Sequence, residues 1–166
     1  MITSDELRQL LDYDPKTGIF TWRMSTGSRA VAGSKAGSRN GGRDGYIRIM
    51  VSKRVYLAHR LAWLHTHGEW PEDQIDHRNG ARDDNRLSNL RLATNSQNGA
   101  NKRRYANNRS GAKGVYWRGQ RGKWTADIQV NGNRKNLGLF TTKEAAAEAY
   151  RQAAEAVFGE FACANR

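Results

Sequence analysis

The sequence predicts an α+β fold in two parts, each of which combines short strands with helices. Two segments carry this prediction: residues 71–105 alternate as strand, loop, strand and helix, and residues 115–158 alternate as three strands followed by one helix. A chain of 166 residues can hold one ordinary domain or two small ones. We therefore expect two small domains joined by a linker, the second being a three-stranded antiparallel sheet packed on one helix.

Short elements on both sides of a glycine-rich loop make up the first 70 residues. Thr3 and Glu6 have the spacing of a capping box at a helix start. Residues 25–45 are rich in Gly, Ser and Arg without periodicity, and we expect a flexible basic loop there. The other predicted elements are, in chain order, a helix at 5–11, strands at 19–22, 46–51 and 54–58, and a helix at 60–67 that ends at Gly68.

The composition points to a polyanion as the partner. The chain has 28 Lys or Arg and 16 Asp or Glu, a formal net charge of +12, which is typical of nucleic-acid binding. No apolar run reaches the length of a bilayer span and the N-terminus lacks a secretory pattern, so we expect a cytoplasmic protein with no membrane partner. The single cysteine, Cys163, excludes an internal disulfide and a cysteine-based zinc site.

The most informative stretch contains an acid, an imidazole and two amides at short intervals. Asp76 and His77 are adjacent, Asn89 follows His77 by 12 residues and Asn98 follows it by 21. A hydrolytic metal site needs such groups, because carboxylate and amide oxygens hold a hard cation and an imidazole takes a proton from water. A plainer interpretation is a solvated turn followed by asparagines that only end or cap elements. Given the net charge, the phosphate of a nucleic acid is the expected anion.

The order of these residues resembles the HNH homing endonucleases of phages, which have the ββα-metal fold. The segments that carry the resemblance are His59-Arg60-Leu61, Gly68-Glu69-Trp70-Pro71, Ile75-Asp76-His77, Asp84-Asn85-Arg86, Asn89-Leu90-Arg91 and Asn98. The resemblance implies that His77 is the general base and that Asn89 holds the loop that orients it. It also implies that Asp76 and Asn98 bind a divalent cation. The candidates for supporting contacts around these residues are His59, Arg60 and Asn85.

Asn98 stands where many HNH enzymes have a histidine. This His-Asn-Asn variant occurs in phage enzymes of the group, so the resemblance still implies an active nuclease. Oxygens from an Asp and an Asn suit Mg²⁺ or Mn²⁺ better than Zn²⁺. We therefore expect one Mg²⁺ or Mn²⁺ per active site and no small-molecule cofactor. His59 has two interpretations, as a supporting contact of the site or as a tie between helix and sheet.

The last third of the chain has the pattern of three strands and a helix. Strands are predicted at 115–118, 123–130 and 134–140, and Asn131-Gly132 between the last two is a strong hairpin signal. Thr141 and Glu144 are spaced as a capping box before a helix at 143–158. The predicted apolar face of this helix consists of Ala146, Tyr150, Ala153 and Val157.

Alternation separates the two faces of this predicted sheet. Residues 100–135 contain ten Lys or Arg and one acid, Asp127, and the polar face carries many of them. Charges of one sign repel unless a polyanion lies opposite, so the polar face predicts a nucleic-acid contact. An ordinary solvated sheet with basic strands is the alternative. The apolar face, which would pack on the helix, consists of Val115, Trp117, Trp124, Ala126, Ile128, Val130, Leu137 and Leu139.

This C-terminal module resembles the APETALA2/ethylene-response-factor type of DNA-binding domain. The matching segments are Gly114-Val115, Gly122-Lys123-Trp124, Ala126-Asp127-Ile128, Leu137-Gly138-Leu139-Phe140, Ala145-Ala146, Ala149-Tyr150, Ala153-Ala154 and Asn165. That family lays its sheet in the major groove, so the resemblance implies that the polar face reads double-stranded DNA. The residues expected to contact DNA are Tyr116, Arg118, Arg121, Lys123, Asp127, Gln129, Arg134 and Asn136, with Lys102, Arg103 and Arg104 before the module.

Together the two resemblances predict a metal-dependent DNA endonuclease of the homing, phage-like type. The predicted domains are residues 1–105 with a motif core at 58–105, a basic linker at 106–113 and an APETALA2-like domain at 114–166. One active site per chain predicts nicking by a monomer, or cleavage of both strands by a weak dimer. A catalytically inactive DNA-binding regulator is the main alternative; a host-type transcription factor and an RNA-directed nuclease are the others.

Overall fold

Helices and small antiparallel sheets make up the chain, which confirms the predicted α+β class. The computed structural model describes residues 1–39, 44–102 and 108–162, so Arg103, Arg104, Cys163 and Asn165 lie outside the described residues. Two compact units are formed, Met1–Leu92 and Ala93–Arg166. Within the described ranges no helix is long and apolar enough to cross a bilayer.

The first unit begins with a helix and a three-stranded antiparallel sheet. Helix α1 spans Ser4–Leu10 and starts at the predicted capping box, in which Thr3 Oγ1 accepts from Glu6 N at 3.2 Å and Glu6 Oε2 accepts from Thr3 N at 2.9 Å. The helix stops one residue before its predicted end because Leu11 has an extended backbone. Two strands of the sheet, the first and the third, were not predicted. The sheet consists of β1 Leu11–Asp14, β2 Ile19–Trp22 and β3 Lys35–Ala36, in the order β1-β2-β3.

A hairpin and a helix follow, close to the predicted positions. Strands β4 Arg48–Val51 and β5 Arg54–Leu57 pair in antiparallel register across the predicted turn at Ser52 and Lys53. Both turn residues have positive φ, 49° and 62°, as a tight hairpin turn requires. Helix α2, Ala58–His67, ends at Gly68 as predicted, but it starts directly after β5, two residues before its predicted start at Arg60.

The motif residues lie on a second hairpin. The predicted order of strand, loop, strand and helix is confirmed. Thr94 caps the helix, because its hydroxyl accepts from Gln97 N at 3.3 Å and Gln97 Oε1 accepts from Thr94 N at 2.9 Å. A short 3₁₀ helix leads into the second strand. The elements are β6 Gln74–His77, the 3₁₀ helix Leu87–Asn89, β7 Leu90–Ala93 and α3 Asn95–Asn101.

One apolar core joins the N-terminal sheet to the motif hairpin. Residues from α1, β1, β2, β4 and α2 pack in the same cluster as Ile75 of β6 and Leu90 of β7. The N-terminal region therefore supports the motif hairpin instead of forming a separate appendage. The largest fully buried side chains of this core are Phe20, Leu7, Leu11, Ile49, Leu61, Leu64 and Val51.

The second unit contains the predicted sheet and its long helix. The cap of this helix is Thr142, whose hydroxyl accepts from Ala145 N at 3.2 Å, and the prediction of Thr141 was wrong by one residue. The buried stripe follows i, i+4, i+8 and i+12, so Val157 is 49% exposed instead of facing the core. The sheet order is β10-β9-β8, with β8 Val115–Arg118, β9 Lys123–Val130 and β10 Asn133–Phe140, and the helix is α4 Lys143–Phe158. The buried residues of α4 are Ala146, Tyr150, Ala154 and Phe158.

A bulge in β10 changes the predicted faces of this sheet. The register of β10 against β9 shifts between Asn136 and Gly138, so that Leu139 pairs with Thr125 on the polar side. Leu139 is 39% exposed, and its predicted packing on the helix was wrong. Trp117 is also exposed, 51%, although its ring lies against Trp124 at 5.4 Å between centroids.

The compact units do not coincide with the predicted domain limits. The boundary lies after Leu92, before the predicted limit at 105, because α3 packs on α4 and on the short 3₁₀ helix Gly159–Phe161. Ala93 and Ala100 belong to the apolar core of the second unit. As functional assignments, the predicted domains stay predictions.

Candidate active site and nucleic-acid face

Asp76 and His77 end β6 side by side, and both are buried. Asp76 is 5% and His77 is 4% exposed. The main chain turns immediately afterwards, where His77 O accepts from Gly80 N at 2.8 Å and Gly80 has a φ of +71°. A carboxylate and an imidazole thus stand at the start of the loop 78–88.

Asn89 fastens this loop at two points. Its Oδ1 accepts from Asn79 N at 3.0 Å, and its Nδ2 donates to Asp84 O at 2.8 Å. Its main-chain oxygen also accepts from Arg78 N at 2.9 Å. A side-chain amide that binds main-chain groups near the start and in the middle of a loop restricts the path of that loop. These contacts fit the loop-holding role predicted for Asn89, and they are made with backbone, not with the imidazole.

Asn85 is the asparagine that contacts the ring of His77. Asn85 Oδ1 lies 3.3 Å from His77 Nε2, and Asn85 Nδ2 donates to Asp83 O at 3.3 Å. Because an amide oxygen can only accept, the neutral His77 ring carries its proton on Nε2 and its lone pair on Nδ1. Asn85 therefore selects the tautomer in which Nδ1 is the basic atom.

The hairpin of β1 and β2 holds the loop at Asn85. Tyr13 OH donates to Asn85 O at 2.7 Å, and burial raises the pKa of Tyr13, which keeps this donor protonated. Gly18 has a φ of +73°, and a Cβ there would come within 2.4 Å of Arg86 N. Any larger residue at position 18 would displace the loop. Part of the chain predicted only as a turn and a strand thus positions the site.

Burial keeps His77 neutral despite the carboxylates beside it. Burial lowers the pKa of His77, while the hydrogen bond to Asn85 and the carboxylates of Asp76 and Asp84 oppose that effect. The net shift is downward from the usual histidine value, so the ring is uncharged at pH 7. A neutral imidazole with a defined basic nitrogen can take a proton from water.

Two further rings lie beside His77. The ring of His59 is perpendicular to that of His77, with 5.0 Å between centroids, and Tyr46 lies 5.0 Å from His59 and 5.8 Å from His77. Burial lowers the pKa of His59 to about 3. Within the part of the chain that the structure describes, His59 Nδ1 is buried and has no hydrogen-bond partner. The ring contact favours the interpretation of His59 as a support of His77.

Arg60 makes a different contact from the one predicted. Its guanidinium lies over the ring of Trp70, 5.8 Å from the centroid. Side chains that follow each other on a helix point in different directions, and His59 is the one that faces the site. The described contacts of Arg60 give it no part in holding His77.

Arg91 is a residue of the site to which the sequence analysis assigned no role. Its Nε donates to Asp76 Oδ2 at 2.9 Å, and its Nη2 lies 2.8 Å from the same oxygen, with both side chains 6% exposed. Either charge alone would be costly at this depth, so the pair is held together. The available signal was a charged residue between Leu90 and Leu92 in a short strand that follows Asn89.

The residues near His77 suit a hard cation better than zinc. Across residues 1–39, 44–102 and 108–162, no three His, Cys, Asp or Glu side chains are grouped as metal ligands. Asp76 offers a carboxylate, and Mg²⁺ is usually held by one or two carboxylates, with water and phosphate oxygens in the remaining positions. This donor set fits Mg²⁺ or Mn²⁺, with Arg91 as a competing partner for Asp76.

Asn98, the other predicted ligand, lies in α3 and therefore in the second unit. It is half-buried, and its main-chain N donates to Thr94 O at 2.9 Å within the first turn of the helix. Its pairing with Asp76 rests on the order of residues in the motif and stays a prediction.

Asp127 is the centre of a hydrogen-bonded cluster on the polar face of the C-terminal sheet. Tyr116 OH and Arg134 Nε donate to Asp127 Oδ2, and Asn136 Nδ2 donates to Asp127 Oδ1 at 2.6 Å. Burial raises the pKa of Asp127, but the hydrogen bonds from these three neighbours outweigh burial, and the net shift is downward. Asp127 is 9% exposed. Asp127 would therefore influence DNA contact through the three side chains that bind it.

The remaining predicted DNA contacts are accessible. Tyr116 lies under two cations, with the guanidinium of Arg118 5.4 Å and that of Arg134 5.2 Å from its ring centroid. Lys102 is exposed as well, while Arg103 and Arg104 lie outside the described residues. The exposed members of the predicted set on the sheet and its turn are Arg118, Arg121, Lys123, Gln129, Arg134 and Asn136.

Comparisons with known proteins point to a nuclease family. Residues 56–100, which include the motif residues from His59 to Asn98, match the family described as HNH endonuclease. The chain is similar to a protein of Acanthamoeba polyphaga mimivirus named uncharacterized HNH endonuclease, with 32% identity over 126 residues, 75% of this chain and 65% of that protein. It is also similar to Protein 3.8 of Escherichia phage T7, with 32% identity over 114 residues, 66% of this chain and 93% of that protein.

The match thus spans less than two thirds of the mimivirus protein and nearly all of the phage protein. No solved structure matches the chain.

Proposed function

The chain belongs to the HNH endonuclease family, and on this premise we propose that it is a metal-dependent endonuclease that hydrolyses phosphodiester bonds of double-stranded DNA. The observation that carries the proposal is the buried His77, whose basic Nδ1 is selected by Asn85 and which stands beside Asp76. The net charge of +12 supports a nucleic acid as substrate.

Asp76 and Asn98 are the residues that would hold one Mg²⁺ or Mn²⁺ in this proposal. The bound cation would offset the charge that develops on the phosphate and on the leaving 3′ oxygen. Arg91 has a part here, because it neutralises Asp76 in the absence of a cation and has to share the carboxylate or release it.

His77 acts as the general base at Nδ1. It takes a proton from a water molecule while the water oxygen attacks phosphorus and the bond from phosphorus to the 3′ oxygen breaks. Asn85 supports this step, because the hydrogen bond from Nε2 to its amide oxygen becomes stronger once the ring is charged. The loop fastened by Asn89 keeps Asn85 in place.

The C-terminal sheet supplies DNA recognition in this proposal, with its polar face in the major groove as in APETALA2-type domains. Arginine suits guanine, and glutamine or asparagine suits adenine, so Arg118, Arg134 and Gln129 are suitable readers. The ββα-metal arrangement of the motif hairpin with α3 and a homing-type role in a phage-related gene belong to the same proposal.

Each chain has one His77, and the number of strands that it can cut follows from this. A monomer would nick one strand in a binding event, and a weak dimer would be needed to cut both. DNA in the cytoplasm of the host cell is the expected substrate, with no small-molecule cofactor.

A plasmid-nicking assay tests the proposal directly. Supercoiled plasmid should be nicked in Mg²⁺ and not in EDTA. His77→Ala should slow nicking by roughly 10²–10⁴-fold, the usual contribution of a general base, while DNA affinity is retained. His67→Ala is the matched control, because His67 is exposed near the end of α2 and should leave the rate unchanged. Unchanged nicking by His77→Ala would exclude His77 as the base.

A DNA-binding regulator without catalysis is the second candidate. The observation that favours it is the buried ion pair of Asp76 with Arg91, which leaves little net charge to attract a cation. This candidate predicts plasmid binding that is equally tight in Mg²⁺ and EDTA, with no nicking in either. Mg²⁺-dependent nicking that is lost in His77→Ala would rule it out.

A further inference from the structure

Helix α3 has little ability to form without help from its surroundings. It spans seven residues, of which three are Asn and one is Gly. Both residue types disfavour the helix interior, and isolated helices of this length are unstable in water. Besides the capping box at Thr94, α3 therefore needs contacts with other elements, and these include hydrogen bonds from the second unit at both of its ends.

Lys113 holds the C-terminal end of α3. Its Nζ donates to Ala100 O and, at 2.8 Å, to Lys102 O. The last carbonyls of a helix have no partner within the helix, and a cation at this end also interacts favourably with the helix dipole. Lys113 precedes Gly114 and β8, so the helix end is attached directly to the start of the C-terminal sheet.

Ser96 holds the other end. Its Oγ accepts from Asn131 N at 3.0 Å. Asn131 is in the turn between β9 and β10 and has a positive φ of 49°. This turn joins the two strands that carry Asp127, Gln129 and Arg134, so the first turn of α3 is tied to the tip of the predicted DNA-reading hairpin.

We propose that Lys113 and Ser96 are positioning residues for Asn98, and that DNA bound to the C-terminal sheet orders α3 through them. The inference rests on the proposed function, in which Asn98 is a cation ligand. The C-terminal unit then has two tasks, to bind DNA and to present one of the two cation ligands. When the sheet is not bound to DNA, the chain would hold α3 less firmly and bind the cation more weakly. Cleavage would then be restricted to DNA that the sheet has bound.

Amide hydrogen exchange of residues 95–101 tests this link without any cleavage. In Ca²⁺ buffer, a mixed-sequence DNA duplex should slow exchange of these amides in the full wild-type chain. Lys113→Met and Ser96→Ala should each lose that protection by about tenfold, the order by which one such hydrogen bond shifts a local opening equilibrium. Lys113→Arg should keep it. Lys143→Met is the matched control, since Lys143 is the first residue of α4 and is not one of the residues that bind the ends of α3 in the hydrogen bonds given above.

A second measurement separates positioning from general destabilisation. In single-turnover nicking, Lys113→Met and Ser96→Ala should raise the Mg²⁺ concentration for half-maximal rate several-fold. The rate at saturating Mg²⁺ and the DNA affinity should stay near wild type. Exchange in α4 should be unchanged, which shows that the second unit remains folded.

The outcomes distinguish the two proposals. If wild-type protein nicks no DNA but the exchange pattern is as expected, the proposed function fails and the link from sheet to α3 stands. If DNA leaves exchange at 95–101 unchanged, or if both variants respond like Lys143→Met, the link is refuted even where nicking is observed.

Discussion

The two compact units use charge in opposite ways. Residues 1–92 contain 15 Lys or Arg and 11 Asp or Glu, whereas residues 93–166 contain 13 and 5. In the first unit several carboxylates close to the motif loop are paired with arginines at short range. These pairs are Asp76 with Arg91, Asp84 with Arg86, Asp44 with Arg48 and Asp83 with Arg39.

In the second unit one acid organises a cationic surface. Asp127 is buried and holds Arg134, while Arg118, Arg121 and Lys123 are exposed on the same sheet and its turn. Paired and buried charges give a site of fixed geometry, as proton transfer requires. A surplus of exposed cations gives attraction to a polyanion that weakens with salt. In the proposed function, proton transfer therefore belongs to the first unit, and most of the attraction to DNA belongs to the second unit, which also carries Asn98.

The largest expected effect comes from breaking the buried pair of the first unit. Arg91→Met removes a buried cation that binds Asp76 and should lower the free energy of unfolding of that unit by about 3–5 kcal/mol, because breaking a buried ion pair is costly. Unfolding in urea, monitored by hydrogen exchange in each unit separately, measures the change in free energy. Exchange in α4 should not be affected.

Arg86→Met is the control for this variant. Arg86 is bound to Asp84 at the surface, with its side chain 50% exposed, so its removal should change stability far less. If Asp76 binds the cation as proposed, Mg²⁺ should restore part of the stability lost in Arg91→Met, since the cation would take the place of the guanidinium. Equal effects of the two substitutions would show that burial does not distinguish the charges of the first unit.

The next effect concerns pH. Burial holds the pKa of His59 at about 3 in the folded state, against about 6.5 in the unfolded chain. The unfolded state therefore takes up the proton first, and stability falls as the pH drops below about 6.5, by up to roughly 1.4 kcal/mol per pH unit. The lowered pKa of His77 acts in the same direction. Unfolding of the first unit measured between pH 7 and pH 5 tests this.

His59→Phe is the informative variant for the pH series. It keeps a ring beside His77 but cannot be protonated, so the slope of stability against pH should become smaller. Asp44 and Asp84 do not interfere in this window, because hydrogen bonds from Arg48 and Arg86 lower their pKa values to about 2. An unchanged slope would mean that His59 accepts a proton in the folded state.

Local signals predicted a large part of this molecule. The capping box at Thr3, the turn at Asn131-Gly132 and the alternation in β9 gave elements close to the observed ones. The motif order also led to Asp76 and His77 as neighbours of a held loop. Such signals depend on residues that are close to each other along the chain, so they can be recognised from the sequence without the structure.

What was not predicted depends on contacts between distant residues. In the sequence Arg91 looks like an ordinary strand residue, because its burial against Asp76 is visible only in the structure. The bulge that turns Leu139 to the polar side depends on the pairing of β10 with β9. The attachment of α3 to the second unit depends on Lys113, whose ammonium group reads as one more surface charge in a basic segment.

The smallest expected effect concerns the exposed arginines of the second unit and the salt dependence of DNA affinity. Arg118→Ala and Arg134→Ala should each lower the slope of log affinity against log salt by about 0.9, if each cation neutralises one phosphate. Filter binding to a DNA duplex at several salt concentrations measures the slope. Lys16→Ala, an exposed cation of the first unit, is the control and should leave the slope unchanged.

The two arginines should nevertheless differ in affinity at a given salt concentration. Removal of Arg118 takes away one exposed cation that donates to Tyr116 OH at 3.2 Å. Removal of Arg134 also leaves the Asp127 carboxylate with one partner fewer on the face that we propose meets the phosphates. Arg134→Ala should therefore bind DNA more weakly than Arg118→Ala, and Asp127→Asn in the Arg134→Ala background should recover part of the loss. Equal affinities of the two single variants would mean that Asp127 has no effect on the cations around it, and the second unit would then bind DNA through independent surface charges alone.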